Sequence, residues 1–314
     1  MADLQVSIGN LMLKNPVLVA SGTYGYGDDC RELIDVNRLG GIVTKSLSLK
    51  SRDGNPPTRI AETASGMLNS IGLANIGVRK FIAEKLPFLQ SLSTVVIANI
   101  AASSVEEYCE VLSLLEEREG IAGYEINVSC ANVKEGGLSF GTNCSMTAEI
   151  TRRLRKLTRK CLIIKLTPNV THVSEFARAV KDEGADAVSL INTLIGMAVD
   201  VRTKQPKLST VTGGLSGPAI KPIALAKVYE VRKAVDIPIL GIGGIMTAED
   251  AVEFMLVGAT AVQVGTANFI DPAAGISIAD GIAKYCDEQH VTKVRDLIGT
   301  MKAAKERSVI DTWL

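Results

Sequence analysis

The sequence has few of the residues that build metal centres and nucleic-acid surfaces. Its two histidines, His172 and His290, are far apart, and its six cysteines form no C-x-x-C pair. A zinc or iron–sulfur site made by this chain alone is therefore not expected. Aromatic residues make up only 4% of the chain, which argues against a surface that stacks the bases of single-stranded nucleic acid.

Net charge and long apolar runs are also missing. The chain has 34 Lys and Arg residues against 34 Asp and Glu residues, so an anionic ligand must be met by local groups and not by an overall field. No stretch approaches the roughly 20 consecutive apolar residues of a membrane-spanning helix. No basic region followed by an apolar run indicates a secretory signal. We therefore expect a cytoplasmic protein with reduced thiols.

Short apolar runs alternate with amphipathic segments along the chain. After an N-terminal hairpin (Leu4–Ser7 and Leu11–Leu13), eight strands are predicted at Val17–Ala20, Gly41–Thr44, Val95–Asn99, Tyr124–Val128, Leu162–Leu166, Ala187–Ile191, Pro238–Ile242 and Ala261–Val264. Helical segments between them include Ser104–Glu119, Thr147–Arg159, Val173–Glu183, Pro222–Val235 and Thr247–Val257. The pattern predicts parallel βαβ units, and eight strands favour a (β/α)8 TIM barrel over a doubly wound open sheet. At 314 residues, 46% of them apolar, the chain suits one domain over residues 1–314.

The active site of a TIM barrel lies where the strands end and the βα loops begin. Polar or glycine residues stand at or just past all eight predicted strand ends: Ser21, Lys45, Asn99, Asn127, Lys165, Asn192, Gly243-Gly244 and Gly265-Thr266. Packing needs alone do not readily explain this convergence. It predicts a ligand site at the barrel mouth.

Glycines and lysines at these strand ends indicate an anionic ligand. The glycines after the last two strands flank the usual phosphate site of a TIM barrel, where backbone N–H groups approach phosphate oxygens, and Gly217 could add another close approach. The alternative is that they only form tight turns. Lys165, which follows four apolar residues, and Lys45 are costly to bury without an anion. Lys165 could instead form a Schiff base, and either lysine could extend to solvent.

Asparagines and one cysteine complete the predicted site. The asparagines are Asn69, Asn99, Asn127, Asn132 and Asn192. Converging amides suit a planar ligand with imide groups, such as a pyrimidine or an isoalloxazine ring, although any one of them could merely cap a turn. Cys130 follows the fourth strand in a polar, glycine-rich loop, whereas most cysteines are buried apolar residues. As a thiolate, with a reference pKa of about 8.5, it could act as a base without a metal or a histidine.

These residues together resemble the dihydroorotate dehydrogenase family over nearly the whole chain. The matching stretches are Ala20-Ser-Gly-Thr-Tyr-Gly-Tyr-Gly27, Asn69-Ser-Ile-Gly-Leu-Ala-Asn75, Asn127-Val-Ser-Cys130, Lys165-Leu-Thr-Pro-Asn169, Ile191-Asn-Thr193, Gly214-Leu-Ser-Gly-Pro-Ala-Ile-Lys-Pro222, Gly243-Gly244 and Gly265-Thr266. Each stretch alone is modest, but the set is specific.

The resemblance implies FMN in the barrel mouth and oxidation of (S)-dihydroorotate to orotate in pyrimidine synthesis. It implies that Cys130 takes the C5 proton while a hydride leaves C6 for the flavin. The implied FMN contacts are Ser21, Lys45, Ser46, Asn99, Asn127, Lys165, Ile191, Gly217, Gly243, Gly244, Gly265 and Thr266. The implied substrate contacts are Lys45, Asn69, Ser70, Ile71, Gly72, Leu73, Asn127, Asn132, Asn192 and Thr193.

A cysteine base is typical of the soluble class of this family, not of the membrane-bound class that uses quinone and a serine. Gly22–Gly27 and Asn192–Met197 resemble the NAD-linked branch, whose catalytic subunit pairs with a chain that carries FAD and a 2Fe–2S cluster in a heterotetramer of two copies each. The homodimeric fumarate-linked branch is the rival, and the residues also leave open a Lys165 Schiff-base aldolase and a non-enzymatic barrel. Ala131 departs from the family, which usually has proline there, and leaves the loop less rigid before folding.

Overall fold

The computed structural model describes residues 2–128 and 140–302. In these ranges, an N-terminal hairpin covers one end of the molecule. Strand Val6–Ile8 pairs antiparallel with Leu11–Leu13, so the predicted hairpin is confirmed, with its first strand beginning two residues further on. The Cys161 thiol donates to the Ile8 carbonyl at 3.5 Å. The hairpin therefore packs against the N-terminal ends of the central strands.

Eight parallel strands close into a barrel in chain order. From first to eighth they are Val17–Val19, Gly41–Val43, Val95–Ile100, Gly123–Asn127, Cys161–Lys165, Ala187–Leu190, Ile239–Ile242 and Ala261–Val264. Every predicted strand is present, with bounds that differ by at most one residue at either end. The predicted (β/α)8 TIM barrel is confirmed and the open sheet is excluded. The single domain over residues 1–314 stays a prediction.

Helices surround the barrel, and several begin at side chains that cap them. The α-helices are Val78–Glu84, Leu86–Gln90, Val105–Glu116, Cys144–Arg155, Val173–Asp182, Lys221–Arg232, Ala248–Leu256 and Ala274–Glu288. Short 3-10 helices are Asp28–Cys30, Val36–Arg38, Phe140–Thr142, Pro218–Ile220, Thr266–Phe269 and Val294–Leu297. Ser104 accepts a hydrogen bond from the Glu107 amide, and Thr247 forms a capping box with Asp250, which satisfies N–H groups that a helix start leaves unpaired. No helix in the described ranges has the length and apolarity to cross a membrane.

A second sheet, which was not predicted, arises from the loops after the second and sixth barrel strands. Its antiparallel order is Leu194–Met197, Thr212–Ser216, Gly66–Asn69 and Ile60–Thr63. A further short pair joins Val199–Asp200 to Gln205–Pro206. Both parent loops leave the C-terminal ends of their strands, so this sheet stands at the barrel mouth. We call it the mouth sheet.

Candidate active site

The strand ends bring several predicted site residues into direct contact. Ser46 donates to the Asn99 side-chain oxygen at 2.6 Å. The Asn192 amide donates to the Asn127 side-chain oxygen at 3.2 Å. Asn127 and Lys165 are neighbours in the register of the fourth and fifth strands, and Asn99 and Lys165 are both buried. Asn99, Asn127, Lys165 and Asn192, which the strand-end pattern selected, therefore lie close together at the barrel mouth.

A buried carboxylate that the sequence reasoning missed lies beneath this cluster. Glu125, in the fourth strand, has no exposed surface. Its Oε1 atom accepts from the Asn99 amide at 2.6 Å and lies 3.5 Å from Lys165 Nζ. Its Oε2 atom accepts from Ser189 at 2.8 Å and from Gln263 at 2.6 Å. The sequence signal was available, since Glu125 is a charged residue inside a predicted barrel strand, but its partners come from four other strands.

The glycine turns after the seventh strand and at the end of the mouth sheet approach each other closely. Gly243, Gly244 and Gly217 have φ values of 132°, 71° and 92°, a region that favours glycine. A Cβ atom on Gly244 would lie 2.8 Å from the Gly217 carbonyl, and one on Gly217 would lie 2.6 Å from Gly66 Cα. Only glycine fits this crossing without a shift of the backbone.

Beside this crossing lies the turn after the eighth strand. Thr266 donates to the Ser216 hydroxyl at 2.9 Å. A Cβ atom on Gly265 would meet nothing closer than Ala20 Cβ at 3.6 Å, so there is space in front of that turn. Within the described ranges, the N–H groups of Gly244, Gly265 and Thr266 have no hydrogen-bond acceptor. Unpaired N–H groups on two adjacent turns, with open space in front of Gly265, are suited to bind a phosphate.

Lys45 lies near the loop that joins the mouth sheet to the first helix. Its amide donates to the Gly25 carbonyl at 2.8 Å. Burial lowers the pKa of the Lys45 ammonium, the positive charge of Arg59 acts in the same direction, and Asp29 partly offsets both. The Arg59 carbonyl accepts from the Ser70 amide at 2.8 Å. Lys45 is thus a half-buried cation that an anionic ligand would stabilise.

The predicted substrate loop has an unusual backbone at its centre. Gly72 and Leu73 have φ values of 75° and 58°, and the Asn55 amide donates to the Ser70 carbonyl at 2.9 Å. Among the described residues, the Gly72 and Leu73 N–H groups find no acceptor, and the Ser70 hydroxyl is buried without a partner. Consecutive unpaired amides of this kind can bind a carboxylate.

The remaining predicted contacts lie in the mouth sheet or within three residues of the end of a barrel strand. The Asn69 amide donates to the Gly214 carbonyl at 3.4 Å within the mouth sheet. Asn169, which was not predicted as a site residue, donates to the Thr193 carbonyl at 3.0 Å and holds that loop. Ile191 Cγ1 lies 3.4 Å from the ideal Cβ position of Gly243. Ser21 lies two residues past the end of the first strand.

Cys130, Ala131 and Asn132 lie outside the described residues, so their predicted roles stay predictions. Five other cysteines are free thiols: Cys30, Cys109, Cys144, Cys161 and Cys286. In ranges 2–128 and 140–302, no group of three potential ligand side chains is placed to hold a metal ion.

These features define a (β/α)8 barrel whose C-terminal mouth holds a cluster of amides, two lysines and glycine turns with unpaired N–H groups. Comparison with known proteins then gives the family. The family model described as dihydroorotate dehydrogenase matches residues 3–285. The chain belongs to the dihydroorotate dehydrogenase family.

Curated relatives match the chain at almost full length. It is 52% identical over 299 residues to the catalytic subunit of dihydroorotate dehydrogenase B (NAD(+)) from Geotalea uraniireducens, covering 95% of this chain and 98% of the relative. It is 50% identical over 302 residues to the subunit of the same name from Bacteroides thetaiotaomicron, covering 96% and 100%. A crystal structure of the Eimeria tenella enzyme DHODH in complex with ferulenol aligns with a TM-score of 0.78 and 21% identity, covering 95% of this chain and 88% of that one. This last likeness supports the fold.

Proposed function

We propose that this chain oxidises (S)-dihydroorotate to orotate with FMN, as the catalytic subunit of an NAD-linked enzyme of pyrimidine synthesis. The main support is the barrel mouth itself, where amides and lysines stand beside glycine turns whose N–H groups are unpaired within the described ranges. The relatives carry this activity in their names. A Lys165 Schiff-base aldolase is disfavoured, because the relatives that match almost the whole chain are named dehydrogenases.

The residues present fit FMN. The amides of Gly244, Gly265 and Thr266, with Gly217 and Gly243, would hold its phosphate, since the first three have N–H groups without an acceptor in the described ranges and open space lies in front of Gly265. The isoalloxazine ring would be held by the remaining predicted contacts, which are Ser21, Lys45, Ser46, Asn99, Asn127, Lys165 and Ile191. When bound, FMN supplies the hydride acceptor for the reaction.

The substrate would be held by its charge and by its imide groups. Lys45 and the Gly72 and Leu73 amides would bind the carboxylate, because a cation and two backbone donors suit an anion. The remaining proposed contacts are Asn69, Ser70, Ile71, Asn127, Asn132, Asn192 and Thr193. Cys130 would take the C5 proton as a thiolate, while the hydride leaves C6.

We propose that electrons leave through a partner subunit that carries FAD and a 2Fe–2S cluster, in a heterotetramer of two copies of each chain. The relatives are named catalytic subunits, which implies a second subunit, and their NAD label favours this branch over the fumarate-linked homodimer. The exposed side chains of Met197, Val199 and Val201 next to the mouth sheet offer an apolar surface for another chain. A cytoplasmic location belongs to the same proposal.

Purified protein, alone and with its co-expressed partner, tests the proposal. We expect a flavin absorbance spectrum, identification of FMN by chromatography after denaturation, and orotate formation from dihydroorotate with an artificial electron acceptor. A colourless protein that cannot be reconstituted with FMN would contradict the cofactor assignment. A yellow protein that releases no orotate would contradict the substrate.

A further inference from the structure

We propose that Glu125 is a positioning residue: its carboxylate holds the Lys165 ammonium and balances its charge beneath the proposed flavin site, and it fixes the orientation of the Asn99 amide. The inference rests on the proposed FMN function. It goes beyond that function because it assigns a role to a residue that is expected to touch neither FMN nor substrate.

The burial and the contacts of Glu125 carry the first step. An ionised carboxylate inside a barrel is costly unless it is paired and hydrogen-bonded. Each Glu125 oxygen has two neighbouring donors, with distances of 2.6 Å to Asn99, 3.5 Å to Lys165, 2.8 Å to Ser189 and 2.6 Å to Gln263. These donors come from four strands other than the one that carries Glu125. Glu125 is therefore the centre of a polar layer just below the mouth.

The second step follows from the chemistry of a carboxylate, which only accepts hydrogen bonds when ionised. The Asn99 side chain must therefore point its NH2 group at Glu125, which leaves its oxygen to accept from Ser46 at 2.6 Å. Both Asn99 and Ser46 are proposed flavin contacts. One buried charge thus fixes the amide orientation of a residue that has two possible orientations.

The third step concerns charge. Lys165 is 6% exposed, so solvent screens its ammonium only weakly. Glu125 supplies a negative charge 3.5 Å away. A flavin held at the mouth would therefore meet a lysine whose charge is partly balanced by Glu125. Removing the carboxylate charge should make the mouth more positive and favour the reduced, more negative form of the bound flavin.

Glu125→Gln is the variant that tests this, because it removes the charge and keeps the shape. We expect it to fold, since the NH2 group of the introduced amide could donate to the Ser189 hydroxyl and to Gln263 Oε1, which is buried without a partner among the described residues. The affinity for reduced FMN should increase by about tenfold relative to that for oxidised FMN. This appears as a more positive reduction potential of the bound flavin, measured by equilibration with a reference dye.

Glu116→Gln is the matched control. Glu116 accepts from Tyr124 at 2.6 Å and from Thr158 at 2.9 Å, next to the same strand but outside the barrel. The substitution should lower the thermal unfolding temperature without changing the flavin potential. A merely structural role for Glu125 would give the same result as this control.

The variant Lys165→Met shows whether Glu125 acts through the lysine. In that background, Glu125→Gln should shift the potential by a different amount than in the wild type, because the carboxylate no longer holds a lysine. A folded Glu125→Gln protein with wild-type potential would overturn the proposal, as would a shift of the same size with and without Lys165. If Glu125→Gln fails to fold, Glu125→Asp is tested in its place. Its shorter side chain should give a smaller shift of the potential in the same direction, and an unchanged potential would overturn the proposal. Wild-type protein that binds no FMN would instead contradict the proposed function.

Discussion

Gly244→Ala should separate the phosphate site from the stability of the barrel. At a φ of 71°, an alanine costs about 1–2 kcal/mol in backbone strain. Its Cβ atom would lie 2.8 Å from both the Gly217 carbonyl and Lys221 Cβ, and relief of such overpacking costs about 1–3 kcal/mol more. The apoprotein should therefore lose about 2–5 kcal/mol of unfolding free energy. Because the two turns must move apart, FMN affinity should fall by about ten- to a hundredfold.

Gly123→Ala is the control at the opposite end of the barrel. A Cβ atom on Gly123 would lie 2.9 Å from the Cys161 carbonyl and 3.2 Å from Leu11 of the hairpin, so it should cost about 1–3 kcal/mol without affecting FMN. Urea unfolding of the apoproteins and fluorescence titration with FMN measure the two effects. Wild-type affinity in Gly244→Ala would refute the phosphate assignment. An equal loss of affinity in Gly123→Ala would show that affinity only follows stability.

Three further predictions concern the chemistry. Cys130→Ser should lower orotate formation by about 10²–10⁴-fold with FMN still bound, and full turnover at neutral pH would exclude Cys130 as the base. In that background, orotate affinity should fall as pH rises through the pKa of Lys45, because the lysine loses its positive charge; burial sets this pKa below its usual value of 10.5. The variant Lys45→Arg stays charged and should remove the pH dependence. A pH dependence that survives in Lys45→Arg would refute this role of Lys45. The isolated chain should bind FMN but reduce NAD poorly, and rapid NAD reduction without a partner would contradict the partner proposal.

The barrel could be predicted because its signals are local. Each strand is a short apolar run bounded by a turn residue or a helix start, so its position can be predicted without knowledge of its neighbours. Parallel strands then place their C-terminal ends together, which brought Asn127 next to Asn192 at 3.2 Å although 65 residues separate them. One topological rule thus converted eight local strand predictions into one candidate site. Ser46, which contacts Asn99, was predicted only from the family resemblance.

The mouth sheet could not be predicted in this way. Its strand Gly66–Asn69 pairs with Thr212–Ser216, and this pairing depends on the barrel already holding the two loops on one side. Its two central strands, Gly66–Asn69 and Thr212–Ser216, are mostly of intermediate burial. Their sequences, Gly-Met-Leu-Asn and Thr-Gly-Gly-Leu-Ser, lack the alternation of apolar and polar residues that indicates a strand. Yet this sheet brings Asn69 to Gly214 and Ser216 to Thr266. Non-local pairing thus positions Asn69, a proposed substrate contact, and Ser216 beside Thr266 of the proposed phosphate site.

Glu125 shows a second limit of reading a site from strand ends. The rule selects residues at the C-terminal end of each strand, whereas Glu125 lies two residues earlier, in the layer below. Side chains alternate along a strand, so Glu125 and Asn127 project to the same side of the fourth strand. A polar residue at that spacing can support the strand-end residues from inside the barrel, as Glu125 does for Asn99 and Lys165. In a barrel of this kind, a charged residue two positions before a strand-end site residue is therefore predicted to hydrogen-bond to site residues from inside the barrel.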